Sequence, residues 1–345
     1  MLEDSILYLS SDEVVLACEE VDPIAAVREA LVLHATGQVQ LPAEAYLGWE
    51  PDGGGLARTI NMPGLLEGEL PVVGTKIINA STSNPDRDLP RASGVVILFD
   101  SVTARPQCVM DASHISALRT AAVSVLASRE LLAQGATDAA ILGAGPLARH
   151  HAMLIAQRLP QVRTCRIFDV RLERATELCA ALTEVIAPQR ITFEVAGTAR
   201  EAVRGAGLVI PCTTTRHGYV ERSWLEAGCV AVNVSLDDLC EDVLLGADRL
   251  YVDDWALVAC DEHRLLGRLA RAGRVAGPHA VAASNGTRTV TGTLGELILG
   301  KCESRSAPQE VCVVNPFGMA IEDLSLAHRV YQVARMRSMG VHLPR

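Results

Sequence analysis

Lysine is nearly missing from this chain of 345 residues. Of its 31 basic residues only Lys76 and Lys301 are lysine, which leaves 29 arginines. A lysine kept inside the apolar, strand-like run "PVVGTKIINAS" is therefore a candidate for chemistry that an arginine would not perform. No run of five like charges occurs and the net charge is −10, which argues against the clustered positive surface that binds nucleic acid or anionic membranes. No stretch of 18 apolar residues is found, and the start "MLEDSILYLSSDEVV" carries acid where a secretory leader has a basic region. Neither a membrane span nor a signal peptide is expected. The ten cysteines stand singly, mostly in apolar runs and without a CxxC pair, and they read as buried thiols of a cytoplasmic protein with no metal centre. Internal repeats and low-complexity tracts are absent as well.

What is present is apolar mass and a change of grammar along the chain. At 49% hydrophobic content the length supplies cores for two domains of roughly 100 to 200 residues each, and the partners expected are small molecules and copies of the chain itself. The first third is strand-rich. Asp22 and Pro23 announce a helix over about 23–36 that Gly37 stops, and apolar runs near 56–62, 71–79, 93–99 and 106–110 read as strands, the last two as a hairpin. A long helix, "SHISALRTAAVSVLASRELLAQG", follows and is expected to end at Gly135. From 137 onward short apolar runs alternate with helices, the pattern of a parallel sheet covered on both faces. The tail adds a strand and a long amphipathic helix suited to packing on the first domain. The expected fold is α/β: a Rossmann-type doubly wound parallel sheet at 119–315, inserted in a discontinuous α+β substrate-binding and dimerisation domain at 1–118 and 316–345.

The segment "AAILGAGPLARHH" places Gly143-x-Gly145-x-x-Ala148 between a strand and a helix. Such a motif turns tightly at its first glycine, lets backbone approach a pyrophosphate at its second, and aims the helix N-terminus at the phosphates. The next strand, "CRIFD", ends at Asp169, 21 residues beyond Ala148, where an acid accepts both ribose hydroxyls of NAD. Arg171 is in reach of a 2′-phosphate, but Asp169 would repel that phosphate, so NAD is expected over NADP. Thr213 and Thr215 in "PCTTTRHG" follow another sheet strand, at the end where such sheets bind ligands; they are read as ribose or nicotinamide neighbours or as ordinary loop threonines.

Together "GTKIINASTSNP", "ALRTAAVSVLASRELL", "ILGAGPLARHH" and "NPFGMAIEDLSLA" resemble the ornithine cyclodeaminase and mu-crystallin family, in the family's order and over most of the chain. The resemblance is sharper to one branch, the dehydrogenases of 2,3-diaminopropionate biosynthesis, through "RASGVVILFD", "VMDASHISALRTAAVSV", "YVDDW" and "NPFGMAIEDLS". It implies NAD-dependent oxidation of N-(2-amino-2-carboxyethyl)-L-glutamate and hydrolysis to 2,3-diaminopropionate and 2-oxoglutarate, for siderophores or peptide antibiotics, by a homodimer. It also implies that Lys76 and Arg119 face the nicotinamide and hold the substrate α-carboxylate, and that the catalytic aspartate of "NVSLDDLCED" is Asp238. Asp237 beside it is separated from Asp238 only by this alignment. Thr120, Pro146, Leu147 and Ser235 join the cofactor set on the same ground.

One position departs from the family's cyclodeaminases. They carry an acid two residues before the methionine of the "MP" pair, and here that residue is Ile60. An ornithine ammonium there would lose a charge partner, at a cost of several kcal/mol. The same stretch supplies Arg58, and "LPRASG" supplies Arg91, positive charge for a substrate rich in carboxylates. The competing expectations are a cyclodeaminase or ketimine reductase, which would share every cofactor residue, and a mu-crystallin-like binding protein without catalysis.

Overall fold

The computed structural model describes residues 5–52, 54–69, 71–187, 189–280 and 286–345; Met1–Asp4, on which part of the leader argument rests, lie outside them. Two compact units emerge, one running through Arg119 and resuming at Gly318, the other spanning Thr120–Phe317. Among the described residues no helix is long and apolar enough to cross a membrane.

In the first unit an eight-stranded sheet runs in the order Val341–Pro344, Ser5–Leu9, Pro106–Asp111, Ala92–Phe99, Val72–Ser81, Ala57–Leu66, Val39–Gln40, with Ala45–Trp49 also paired to Ala57–Leu66. All its pairings are antiparallel except that of Ser5–Leu9 with Pro106–Asp111. Ala92–Phe99 and Pro106–Asp111 form the hairpin expected from sequence, with a register shift at Leu98/Phe99. Because side chains alternate across a strand, register separates the two faces. Met62, Lys76, Val96 and Met110 stand side by side and are all buried, whereas Asn61, Ile77 and Val95 form the neighbouring row on the opposite face and are exposed or half-buried.

The helices Ser11–Cys18, Pro23–Ala35 and Ala320–Met336 pack in this unit. Pro23–Ala35 starts where Asp22 accepts the N–H groups of Ile24 and Ala25, and the chain leaves it through Gly37 at φ +73°. Ala320–Met336 packs on Pro23–Ala35 and on the strands Ala57–Leu66, Val72–Ser81 and Ala92–Phe99. Its approach depends on the paired glycines Gly64 and Gly74: a Cβ at Gly74 would lie 2.8 Å from Leu324 and 2.5 Å from the Ile97 carbonyl. Side chains at those positions would push the helix off the sheet.

The second unit is a parallel sheet in the order Thr192–Val195, Thr164–Phe168, Asp138–Leu142, Leu208–Pro211, Val230–Val232, Cys312–Val314, Arg249–Val252, Gly292–Thr293. Its central strands are buried without alternation, as expected of strands covered on both faces. Chain order reverses between Asp138–Leu142 and Leu208–Pro211, and at such a switch point the carboxyl ends of the strands leave a crevice for a ligand.

Candidate active site

At the switch point, Gly143 leaves the strand Asp138–Leu142 at φ +101°, and a Cβ there would sit 2.9 Å from the Cys212 carbonyl. Glycine is required for both reasons. Gly145 caps the helix Pro146–Arg158, Pro146 takes its first position, and Ala148 is fully buried. A Cβ on Gly145 would project into open space with nothing within 4 Å, so the backbone here is open to the close approach of a pyrophosphate. Leu147 is half-buried and its carbonyl is bonded to the His151 ring at 2.8 Å. Asp169 closes the loop, its carboxylate accepting the N–H groups of Ala144 and Arg171, each at 2.9 Å. Arg171 itself is exposed. These residues suit NAD, whose phosphates meet free helix N–H groups and whose ribose hydroxyls meet a carboxylate.

Across the switch point, Thr213 follows the strand Leu208–Pro211. Its hydroxyl donates to Asp238 Oδ1 at 2.6 Å and accepts the Thr215 N–H, so its donor is committed to that carboxylate. The hydroxyl of Thr215 turns back into its own loop, donating to the His217 carbonyl at 3.1 Å. Asp238 also receives the Tyr219 phenol at 3.0 Å on Oδ1 and the Ser235 hydroxyl on Oδ2. Its carboxylate is wholly buried and lacks a cationic partner among the described residues. Burial raises its pKa, the hydroxyls of Ser235, Thr213 and Tyr219 pull it back, and the charge of Asp237 adds a small upward push.

Asp237 has a different environment. It accepts the Leu265 N–H at 2.6 Å and Arg268 Nη2 at 3.0 Å, so its charge is balanced and its oxygens hold the start of the helix Leu265–Arg271. The pair sits at a bend over residues 235–237 and not in a strand, and its two acids are told apart by their partners, one a braced structural acid and the other held by hydroxyls.

In the first unit, Lys76 is 1% exposed, and its Nζ lies 2.6 Å from Asp323 Oδ2 and 3.5 Å from the Ser116 hydroxyl. Arg119 bonds Glu322 Oε2 through Nη1 at 2.8 Å and Asp323 Oδ1 through Nε at 3.2 Å. Burial lowers the Lys76 pKa and the Asp323 charge opposes that loss. A Cβ on Gly318, whose φ is +90°, would come within 2.7 Å of Arg119 Nη1, so glycine makes room for the guanidinium. Glu322 and Asp323 were not read from the sequence as site residues. The signal was two adjacent acids inside the apolar helix "MAIEDLSLA", which cannot be buried without buried cations.

Arg58 and Ile60 share the sheet face of Lys76, through the pairs Met62–Lys76, Ile60–Ile78 and Arg58–Ala80. Arg91 precedes the strand Ala92–Phe99 and is exposed as a whole, yet surrounding protein and then the Arg58 charge lower its pKa. Thr120 follows Arg119 directly in the helix Ser113–Leu131, and its carbonyl accepts the Ser124 hydroxyl at 3.2 Å.

The family model of ornithine cyclodeaminase/mu-crystallin matches residues 7–338. The chain belongs to that family. Among its relatives, the N-((2S)-2-amino-2-carboxyethyl)-L-glutamate dehydrogenase of Staphylococcus aureus is 34% identical over 323 residues, 92% of this chain and 91% of that protein. The crystal structure of CmnK matches with a TM-score of 0.89 at 36% identity, over 99% of this chain and 98% of that one. An archaeal alanine dehydrogenase dimer with bound NAD matches with a TM-score of 0.81 at 25% identity, over 98% and 99%. In this family member "YVDDW" is tied to Phe317 within the second unit, the Phe317 N–H donating to Asp253 Oδ1 at 3.0 Å.

Proposed function

We propose that this chain oxidises N-(2-amino-2-carboxyethyl)-L-glutamate with NAD and hydrolyses the product to 2,3-diaminopropionate and 2-oxoglutarate, in the cytoplasm, for a siderophore or peptide natural product. As a member of its family it is an NAD-dependent amino-acid dehydrogenase, and the narrower substrate is our reading. The observation that carries it is the 34% identity, over 92% of the chain, to a dehydrogenase of that conjugate. Support comes from Arg58 and Ile60 on the Lys76 face, which suit a distal carboxylate and not the distal ammonium of ornithine.

Bound NAD supplies the hydride acceptor. Lys76 and Arg119 neutralise the α-carboxylate, the ammonium as a compact point charge and the guanidinium as a planar fork. Arg58 or Arg91 reads the distal carboxylate. Gly143, Gly145, Pro146 and Leu147 present the phosphate loop, Asp169 the ribose acceptor, and Thr120, Arg171, Thr215 and Ser235 complete the cofactor's surroundings. Asp238 takes the proton of the substrate's secondary amine as hydride leaves the glutamate α-carbon, converting C–N to C=N. Water then adds to that carbon, the C–N bond breaks, and the nitrogen departs as the amine of 2,3-diaminopropionate while the carbon becomes the ketone of 2-oxoglutarate. Incubation with NAD and the conjugate should yield NADH and 2-oxoglutarate in equal amounts, read by absorbance and mass spectrometry. NADH without 2-oxoglutarate would refute the cleavage.

The chain is further proposed to act as a homodimer through the open face of the first unit's sheet. Leu47 and Trp49 are 62% and 46% exposed there, beside Asn61, Ile77 and Val95, and apolar side chains on an uncovered sheet face call for a cover. Sedimentation at micromolar concentration should give the dimer mass; a monomer would contradict it.

A further inference from the structure

The loop after the strand Leu208–Pro211 carries Tyr219, a residue to which the reaction above gives no role. Resting on the reading of Asp238 as the base, we infer that Tyr219 is a positioning residue that, with Thr213, occupies Asp238 Oδ1 and so makes Oδ2 the atom that receives the substrate's proton.

A carboxylate oxygen has two in-plane lone pairs. Oδ1 already accepts Thr213 Oγ1 at 2.6 Å and Tyr219 Oη at 3.0 Å, while Oδ2 accepts the Ser235 hydroxyl and keeps a lone pair. The phenol is held by more than its own bond. The N–H groups of Tyr219 and Val220 both donate to the Asp238 carbonyl at 3.0 Å, and the Cys240 N–H donates to the Val220 carbonyl at 2.9 Å. A Cβ at Gly218 would lie 2.9 Å from the Leu239 carbonyl and 3.0 Å from Cys240 Cα, so glycine lets the two segments touch. Residues 218–220 and 238–240 thus lock the phenol and the carboxylate in one frame.

The groups facing this carboxylate from every side are few. Tyr219 is held above the ordinary phenol value, by burial first and by Asp238 second, so it stays a donor. Cys212 is likewise held well up by burial and then by Asp238. Beyond Cys212 Sγ, 3.7 Å away, His151 Nδ1 belongs to a ring that burial brings down to about 4, hence neutral. Asp237 is paired with Arg268. Asp238 is left as the group here whose charge changes when substrate turns over.

The test is Tyr219→Phe, with Thr213→Val as the second variant aimed at the same oxygen. Both remove a donor from the carboxylate, so Asp238 protonates at higher pH. The acid limb of kcat/KM for the amine that supports turnover should move up by about one pH unit, with NAD affinity kept. A readout independent of substrate is the carboxylic-acid C=O infrared band of Asp238, isolated as the difference from Asp238→Asn; its titration should rise by the same amount. An unmoved titration in Tyr219→Phe beside an inactive Asp238→Asn would overturn the role of Tyr219 alone. Native turnover in Asp238→Asn would instead overturn the base on which the inference rests.

Discussion

Two buried charge centres among the described residues solve the same physical problem differently. In the first unit Lys76 and Arg119 are matched by Asp323 and Glu322, cation against carboxylate at 2.6 to 3.2 Å. In the second, Asp238 has hydroxyls from Thr213, Tyr219 and Ser235 and no counter-ion among the described residues. A buried pair of opposite charges holds geometry but gives up little reactivity, because either partner alone would be left uncompensated. A carboxylate held only by neutral donors keeps a raised pKa and a use for a proton. The first arrangement suits a preorganised receptor for a substrate carboxylate, and the second suits a base.

The largest effect that would break this comparison is on stability in the first centre. Asp323→Asn leaves Lys76 buried without its charge partner and should destabilise the protein by about 3–5 kcal/mol, read by denaturant unfolding; a loss below about 1 kcal/mol would show that the quartet does not hold the unit together.

Next in size is Asp238→Asn, which should lower kcat by about 10²-fold or more while NAD titration and unfolding midpoint stay native or improve. Loss of fold together with activity would place Asp238 in the same class as Asp323.

Asp169→Ala removes a carboxylate that closes the glycine loop through the Ala144 N–H and is assigned to the ribose. NAD affinity should fall by about tenfold to a hundredfold and the preference over NADP should narrow, by fluorescence titration with both cofactors. Equal native affinity for the two would remove that assignment.

The smallest effect concerns pH. A folded-state pKa raised above its unfolded value contributes stability that is complete below the unfolded pKa and fades as pH rises through the folded one. The stability of the native protein relative to Asp238→Asn should therefore be greatest in mild acid and decline toward neutrality. A difference that grows with pH would reverse the sign assigned to Asp238.

How much of this was legible in the sequence follows the range of the interactions. The helix that begins at Pro146, the tight turn at Gly143 and the acid after the strand Thr164–Phe168 rest on neighbours in the chain, and local chemistry announced them. So did the cap at Asp22. The long helix was read to Gly135 but ends at Leu131, since a glycine at φ +83° marks the turn rather than the last hydrogen-bonded residue. The strands Ser5–Leu9, Ala45–Trp49 and Val341–Pro344 went unread; they lie at or near the sheet's margins, where exposure blurs the alternation of apolar and polar residues. The partners of Lys76 were illegible for another reason: Asp323 lies 247 positions away, and only the packing of Ala320–Met336 over two facing glycines brings it there. Thr213, read either as a ribose or nicotinamide neighbour or as an ordinary loop threonine, gives its donor to Asp238, a pairing across 25 positions that no local pattern encodes.

The central claim, an oxidising enzyme for a carboxylate-rich conjugate built on the family's frame, is tested most directly by following NADH at about 340 nm, where reduced nicotinamide absorbs. N-(2-amino-2-carboxyethyl)-L-glutamate and ornithine are supplied in parallel with NAD. Sustained NADH release with the conjugate and none with ornithine is the result predicted here; turnover of ornithine to a cyclic product with no net NADH, and silence with the conjugate, would contradict it.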